Sequence, residues 1–195
     1  MVLLWDSAKH DVLPRRVWSP HMLNQFKRLV ASQFEAGLCM FHDCVSLCPD
    51  SNWGQPIAKY PFWQAAHHTL CYVDLYLSKN EATFEQEDMR TGPSGLHPNG
   101  WSEFRDEYPS RRFERGELLE YTDHCRQKAR RVVAAETVES LDEPSGFHWL
   151  KFNRAELHVY NIRHLQHHTG QLGAFLRRVD ADHALNPKWV GTGWK

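Results

Sequence analysis

Between Pro20 and Pro49 the chain carries a pattern that one kind of local structure accommodates. Leu23, Phe26, Val30, Phe34, Leu38, Phe41 and Val45 recur at steps of three or four, which draws them into one apolar stripe along a helix. Ser19 stands ahead of the stripe as an N-cap, and Pro20 takes the first helical position, where its missing N–H is one the helix leaves unbonded anyway. Pro49 sets the far limit. An apolar face of that length needs other elements to cover it.

The rest of the chain supplies the cover. After a turn-rich stretch from Asp50 to Ala58, Pro61 opens a second helical segment, PFWQAAHHTLCYVDLYLSK, which is apolar nearly all round and belongs in the centre. Residues from Asn80 to Ser110 hold Gly92, Pro93, Gly95, Pro98, Gly100 and Pro109, too many breakers for a regular helix, so a long loop and candidate lid is expected there. A third helix fits ERGELLEYTDHCRQKARRVVAAE, with Leu118, Tyr121, Cys125, Lys128 or Ala129, and Val132 on one side and arginines and glutamates on the other. After a break at Asp142 to Gly146, Asn153 and Glu156 have the spacing of a reciprocal cap. The fourth helix then continues through Arg178, with Leu157, Leu165, Leu172, Phe175 and Val179 turned inward.

No alternating strand pattern of comparable length and no internal repeat accompanies these segments. The expectation is an all-α protein, an antiparallel four-helix bundle with its core at about 19–179 and a long connection between helices 2 and 3. A non-helical C-terminal tail begins at Asp180, and its Trp189 and Trp194 are expected to dock on the bundle. At 195 residues, 42% of them hydrophobic, one domain with one core is expected.

Charge narrows the partners. Lys and Arg number 23 against 24 Asp and Glu, a formal charge of -1, so no overall positive field exists to hold nucleic acid or an anionic membrane. The start, MVLLWDSAKHDVLPRR, lacks the basic segment and cleavage site of a secretory signal, and no apolar run reaches membrane-spanning length. A soluble, cytoplasmic protein is expected. Cys39, Cys44, Cys48, Cys71 and Cys125 show no CxxC spacing and read as reduced, mostly buried small hydrophobes.

Histidine is the compositional exception, with 13 residues. In RHLQHHTGQL, His164 and His168 lie four residues apart, about 40° on a helical wheel, so both imidazoles can address one ion. The same wheel puts Leu157 and Phe175 within about 20° of His164, which turns the pair toward the bundle. Two imidazoles there leave polar nitrogens that a metal satisfies directly. A third ligand has to come from another helix. His68 is in line with Tyr72 and Leu75, whereas His67 is rotated about 100° away, but periodicity on an apolar helix leaves both open. The other histidines lie in leads, loops and tails or flank helix faces, and read as structural or solvated.

PFWQAAHHTLCYVDLYLS, GELLEYTDHCRQKAR and LHVYNIRHLQHHTGQLGAFLRR resemble the corresponding segments of DinB-like proteins, and the resemblance covers about Ser19 to Val179. It implies a four-helix bundle with one histidine on the second helix and an HxxxH on the last, together holding a divalent metal. Residue by residue this transfers to His68, His164 and His168, and the HxxxHxGQ spacing runs from His164 to Gln171 without departure. Family members with known activities include thiol-dependent transferases and isomerases, in which the metal activates a low-molecular-weight thiol.

Three imidazoles suit zinc, nickel, copper or iron, and a catalytic site keeps further positions open. The expected cofactor is a divalent ion such as zinc, nickel, iron or manganese, with a low-molecular-weight thiol as second candidate. The expected function is a metal-dependent enzyme, a transferase, isomerase or hydrolase acting on a small-molecule substrate. The rival is a non-catalytic, metal-stabilised bundle that binds a ligand or protein partner, and the long first stripe makes a homodimer plausible.

Further candidates have structural readings beside the functional ones, of equal weight for Gln171, Asp74 and Asn161 and preferred for the basic and aromatic residues. Gln171 is placed to bond a ligand, and Asp74 and Asn161 to orient imidazoles. Arg111, Arg112, Arg115, Arg126, Lys128, Arg130 and Arg131 offer charge to a carboxylate-bearing cofactor or form the solvated face of the third helix. Trp53, Phe62, Trp63, Tyr72, Phe84 and Trp101 line a pocket or fill the core.

Overall fold

The Ser19 hydroxyl accepts the backbone N–H of Met22 at 3.2 Å, and the first helix starts at Pro20 as its cap requires. The computed structural model describes residues 19–91, 111–180 and 185–191, which contain α1 (Pro20–Leu47), α2 (Asp50–Trp53), α3 (Phe62–Leu77), α4 (Glu81–Thr91), α5 (Arg115–Ala135), α6 (Val138–Asp142) and α7 (Arg154–Val179). No strand occurs among the described residues, so the all-α expectation holds. None of these helices is long and apolar enough to cross a membrane.

The long helices α1, α3, α5 and α7 are those the apolar periodicity marks. Each packs on two others: α1 and α3 each touch both α5 and α7. Val30, Phe34, Leu38, Phe41 and Val45 of α1 are buried, and with Leu70 and Val73 of α3, Leu118 and Tyr121 of α5, and Leu165 and Leu172 of α7 they form the main core. Burial of each such side chain stabilises by about 1.5–3 kcal/mol, which is what draws the four stripes together. On α3 every residue from Thr69 to Leu77 is buried, the outcome expected of a helix with no polar face. A second cluster joins Tyr72, Leu75 and Tyr76 of α3 to Phe84 of α4, Phe147 and Leu157.

Capping sets the later helices. Glu114 and Glu117 form a reciprocal box at the start of α5. At α7 the Glu156 N–H donates to the Asn153 side chain at 3.0 Å, one half of the expected reciprocal pair. Gly146 has φ 90, and a Cβ there would lie 2.0 Å from the Lys79 carbonyl oxygen, so only glycine lets this loop close on the end of α3.

Three expectations need correction. The stretch from Asn80 is not loop from its beginning: 81–91 form α4, because every breaker in the region comes at Gly92 or later. The remainder of the expected lid, Trp101 included, lies outside the described residues. On α5 it is Val133 that is buried, while Val132 is only partly covered. In the tail Leu185 packs against the core and Pro187 approaches Gly173, but Trp189 is 83% exposed and does not dock; Trp194 lies outside the described residues.

Candidate metal centre

The seam between α3 and α7 brings together the three histidines that stand apart in the sequence. A ring nitrogen from each of His68, His164 and His168 lies within 4.8 Å of the other two. Ring centroids are 5.4 Å apart for His68 and His164, 4.8 Å for His68 and His168, and 4.5 Å for His164 and His168. Three nitrogens bound tetrahedrally to one ion at about 2.1 Å stand about 3.4 Å apart, so small side-chain rotations bring these rings to that spacing. All three histidines are half-buried, which puts the cluster at the edge of the helix ring and not in its middle.

The neighbouring His67 has a different environment. It is fully buried, with its ring 4.3 Å from Phe113 and 6.2 Å from Tyr121, on the side of α3 that faces α5. The 100° between successive residues sends one histidine into the core and the other to the seam. Along the seam, Tyr72 lies 4.7 Å from His68 and 5.2 Å from His164, and Tyr76 meets His164 edge-on at 6.3 Å. Tyr76 is absent from the expected site, yet His68, Tyr72 and Tyr76 repeat at four-residue steps, a signal present in the sequence.

Electrostatics favour a neutral His164 ring. Burial, with the His168, His68 and His167 rings beside it, pushes the pKa of His164 down to about 2. The ring therefore carries no proton that an incoming cation has to displace. Its Nδ1 is buried without a hydrogen-bond partner among the described residues, the kind of orphaned nitrogen that a metal ion satisfies.

Gln171 orients His168. The His168 Nδ1 lies 2.8 Å from Gln171 Oε1, and an amide oxygen only accepts, so Nδ1 bears the proton and Nε2 keeps its lone pair. The amide's Nε2 donates in turn to His167 Nε2 at 3.1 Å, which fixes its direction. The chemistry of the donor set thus fits a divalent ion: a neutral, underbonded imidazole, a second with its tautomer fixed, and a third from another helix.

Asp74 and Asn161 do not orient these imidazoles. Asp74 binds Lys128 at 2.5 Å and accepts from the Tyr121 hydroxyl at 3.1 Å, on the α5 side of α3. Asn161 Nδ2 donates to the Val73 carbonyl at 3.0 Å. Most of the basic residues from Arg111 to Arg130 form ion pairs: Arg111 with Glu117, Arg115 with Asp50, and Arg126 and Arg130 with Glu35. Lys128 also forms ion pairs, with Asp74 and Glu87, and differs from the others in being buried. Of the aromatic candidates, Tyr72 borders the histidines, while Trp53 and Phe62 are buried in the main core and Phe84 in the second cluster. His158, read as a residue flanking a helix face, is wholly buried and bound through Nε2 to Glu136 at 2.9 Å.

A family model described as the DinB superfamily matches residues 33–172, a span that takes in all three histidines and most of the four long helices. No curated protein and no solved structure matches the chain.

Proposed function

The chain belongs to the DinB superfamily, and we propose that it is a metal-dependent enzyme whose ion is held by His68, His164 and His168. The observation that carries this reading is the meeting, within 4.8 Å, of a nitrogen from each of three half-buried imidazoles, of which the His164 ring is neutral and has an orphaned, buried Nδ1. The family binds metals in general, and the ring of α1, α3, α5 and α7, read as a four-helix bundle, supplies the ligands from two of its members.

When bound, the ion supplies Lewis acidity that lowers the pKa of a thiol or water at a position the protein leaves open, for attack on an electrophilic small molecule. The residues of the chain do the rest. His164 offers a neutral ring because burial and its neighbours exclude the proton. His168 presents Nε2 because Gln171 holds its Nδ1–H. Tyr72 and Tyr76 shield one side of the cluster and keep its dielectric low, while the half-exposed rims of His68 and His168 leave an approach for substrate. On this reading the substrate is a small molecule, the cofactor zinc, nickel, iron or manganese, and the setting the cytoplasm.

The test is metal content of untagged protein by plasma mass spectrometry. One equivalent of a divalent ion is expected in wild type and in His67→Phe, and less than about a tenth of that in His68→Ala, His164→Ala and His168→Ala. Stoichiometric metal in all three alanine variants refutes the assignment. Thiol consumption with a panel of electrophiles, with and without chelator, then tests catalysis: turnover that ignores both the chelator and the three histidines defeats the enzymatic reading.

A further inference from the structure

A cavity of about 660 Å³ lies between α3, α4, α5, α6 and the start of α7, and none of the three histidines lines it. One wall is a single face of α5 carrying His124, Lys128 and Arg131 at steps of four and three. Lys128 is buried there, its ammonium 2.5 Å from Asp74 Oδ1, 2.7 Å from Ser78 Oγ and 2.9 Å from Glu87 Oε2. Burial opposes its charge, but Asp74 and Glu87 outweigh burial and raise its pKa, so Lys128 stays an ammonium.

The two carboxylates on Lys128 are not equivalent. Asp74 is buried, and its other oxygen accepts from the Tyr121 hydroxyl and lies 3.7 Å from His124, so it is a fixed counter-ion. Glu87 stands on α4, and its side chain is 46% exposed. Arg131 lines the same wall, is exposed, and has no carboxylate partner among the described residues. One cation thus holds two carboxylates while its neighbour holds none. Leu77, Phe84, Val132 and Ala135 supply an apolar wall beside them. The volume falls in the range of about 300–1,000 Å³ typical of small-molecule sites.

We propose that this cavity binds a small monocarboxylate with an apolar body, the ligand carboxylate taking the place of Glu87 on Lys128 and pairing also with Arg131. The exchange conserves charge, since one carboxylate leaves for water as another enters. A dianion such as phosphate gains less, because Asp74 sits within contact of the same ammonium. The apolar wall then takes the body of the ligand, which water solvates poorly.

Calorimetric titration of the full chain as isolated with hexanoate, hexanol and inorganic phosphate tests this. Hexanoate is expected to bind saturably at one site, with hexanol and phosphate at least about tenfold weaker. Glu87→Gln removes the competing carboxylate and tightens hexanoate about three- to tenfold, whereas Arg131→Ala weakens it about tenfold. Neither position is buried, and both variants are expected to fold, which circular dichroism checks. His68→Ala and His164→Ala leave hexanoate binding unchanged, which separates this site from the metal centre. Absence of hexanoate binding overturns the proposal, as does equal binding of hexanol, tighter binding of phosphate, indifference to both cavity substitutions, or loss of binding in His68→Ala.

Discussion

At the scale of single residues, Gln171 has the most specific task. Its amide reads the two ends of a histidine pair differently, accepting from His168 Nδ1 and donating to His167 Nε2. Loss of the acceptor frees the His168 ring to rotate and to exchange tautomers, so that its metal-facing nitrogen is no longer always a lone pair. Gln171→Ala is therefore expected to lower metal affinity about 10- to 100-fold in a competitive chelator titration while leaving the fold intact. Gln171→Glu keeps an acceptor and recovers most of the affinity. Equal affinities in wild type and Gln171→Ala defeat the orienting role. His67 shows the converse: adjacent to His68 in sequence, it is set by its Phe113 contact into the core.

Between elements, the joint of α5 with α7 depends on one carboxylate. Glu136, the residue after α5, accepts from Arg154 Nε at 2.6 Å, from His158 Nε2 at 2.9 Å and from Ser140 Oγ. Burial raises its pKa, but hydrogen bonds from His158 and Ser140 and the Arg154 charge outweigh burial and bring it down to about 2, from 4.5 for a free glutamate. A carboxylate with a depressed pKa stabilises the fold above the unfolded value and loses that contribution as pH falls toward the folded one. The stability advantage of wild type over Glu136→Gln in urea melts should thus be roughly 2 kcal/mol near neutrality and shrink between pH 4.5 and about 2. A gap that does not change with pH contradicts this assignment.

For the molecule as a whole, the approach of α1 to α7 is fixed at Gly37. A Cβ there would meet Leu165 Cδ2 at 2.7 Å and Gln166 Nε2 at 2.8 Å, and Leu165 is fully buried next to His164. Gly37→Ala gains helix propensity but pushes Leu165 against a packed core, with a net loss of about 1–3 kcal/mol. In a chain of this size that is a melting temperature lower by about 2–4 °C per kcal/mol. Because Leu165 and His164 are consecutive on α7, metal affinity should fall as well. A melting temperature equal to or above wild type shows that the two helices separate freely.

What the chain determines by itself is whatever repeats at short range. The stripe of α1, the Ser19 and Asn153 caps, the uniformly apolar α3 and the four-residue step from His164 to His168 are local, because helix geometry converts spacing into direction without reference to the rest of the molecule. The breakers after Gly92 were legible in the same way, although they concealed α4 ahead of them. Tertiary structure decided the choices that periodicity leaves equal. On a helix buried all round, only the positions of α5 and α7 send His67 to Phe113 and His68 to His164. Only that packing brings Lys128, 54 residues along the chain, against Asp74. A pairwise contact between distant residues depends on how helices cross, and no single helix carries that information.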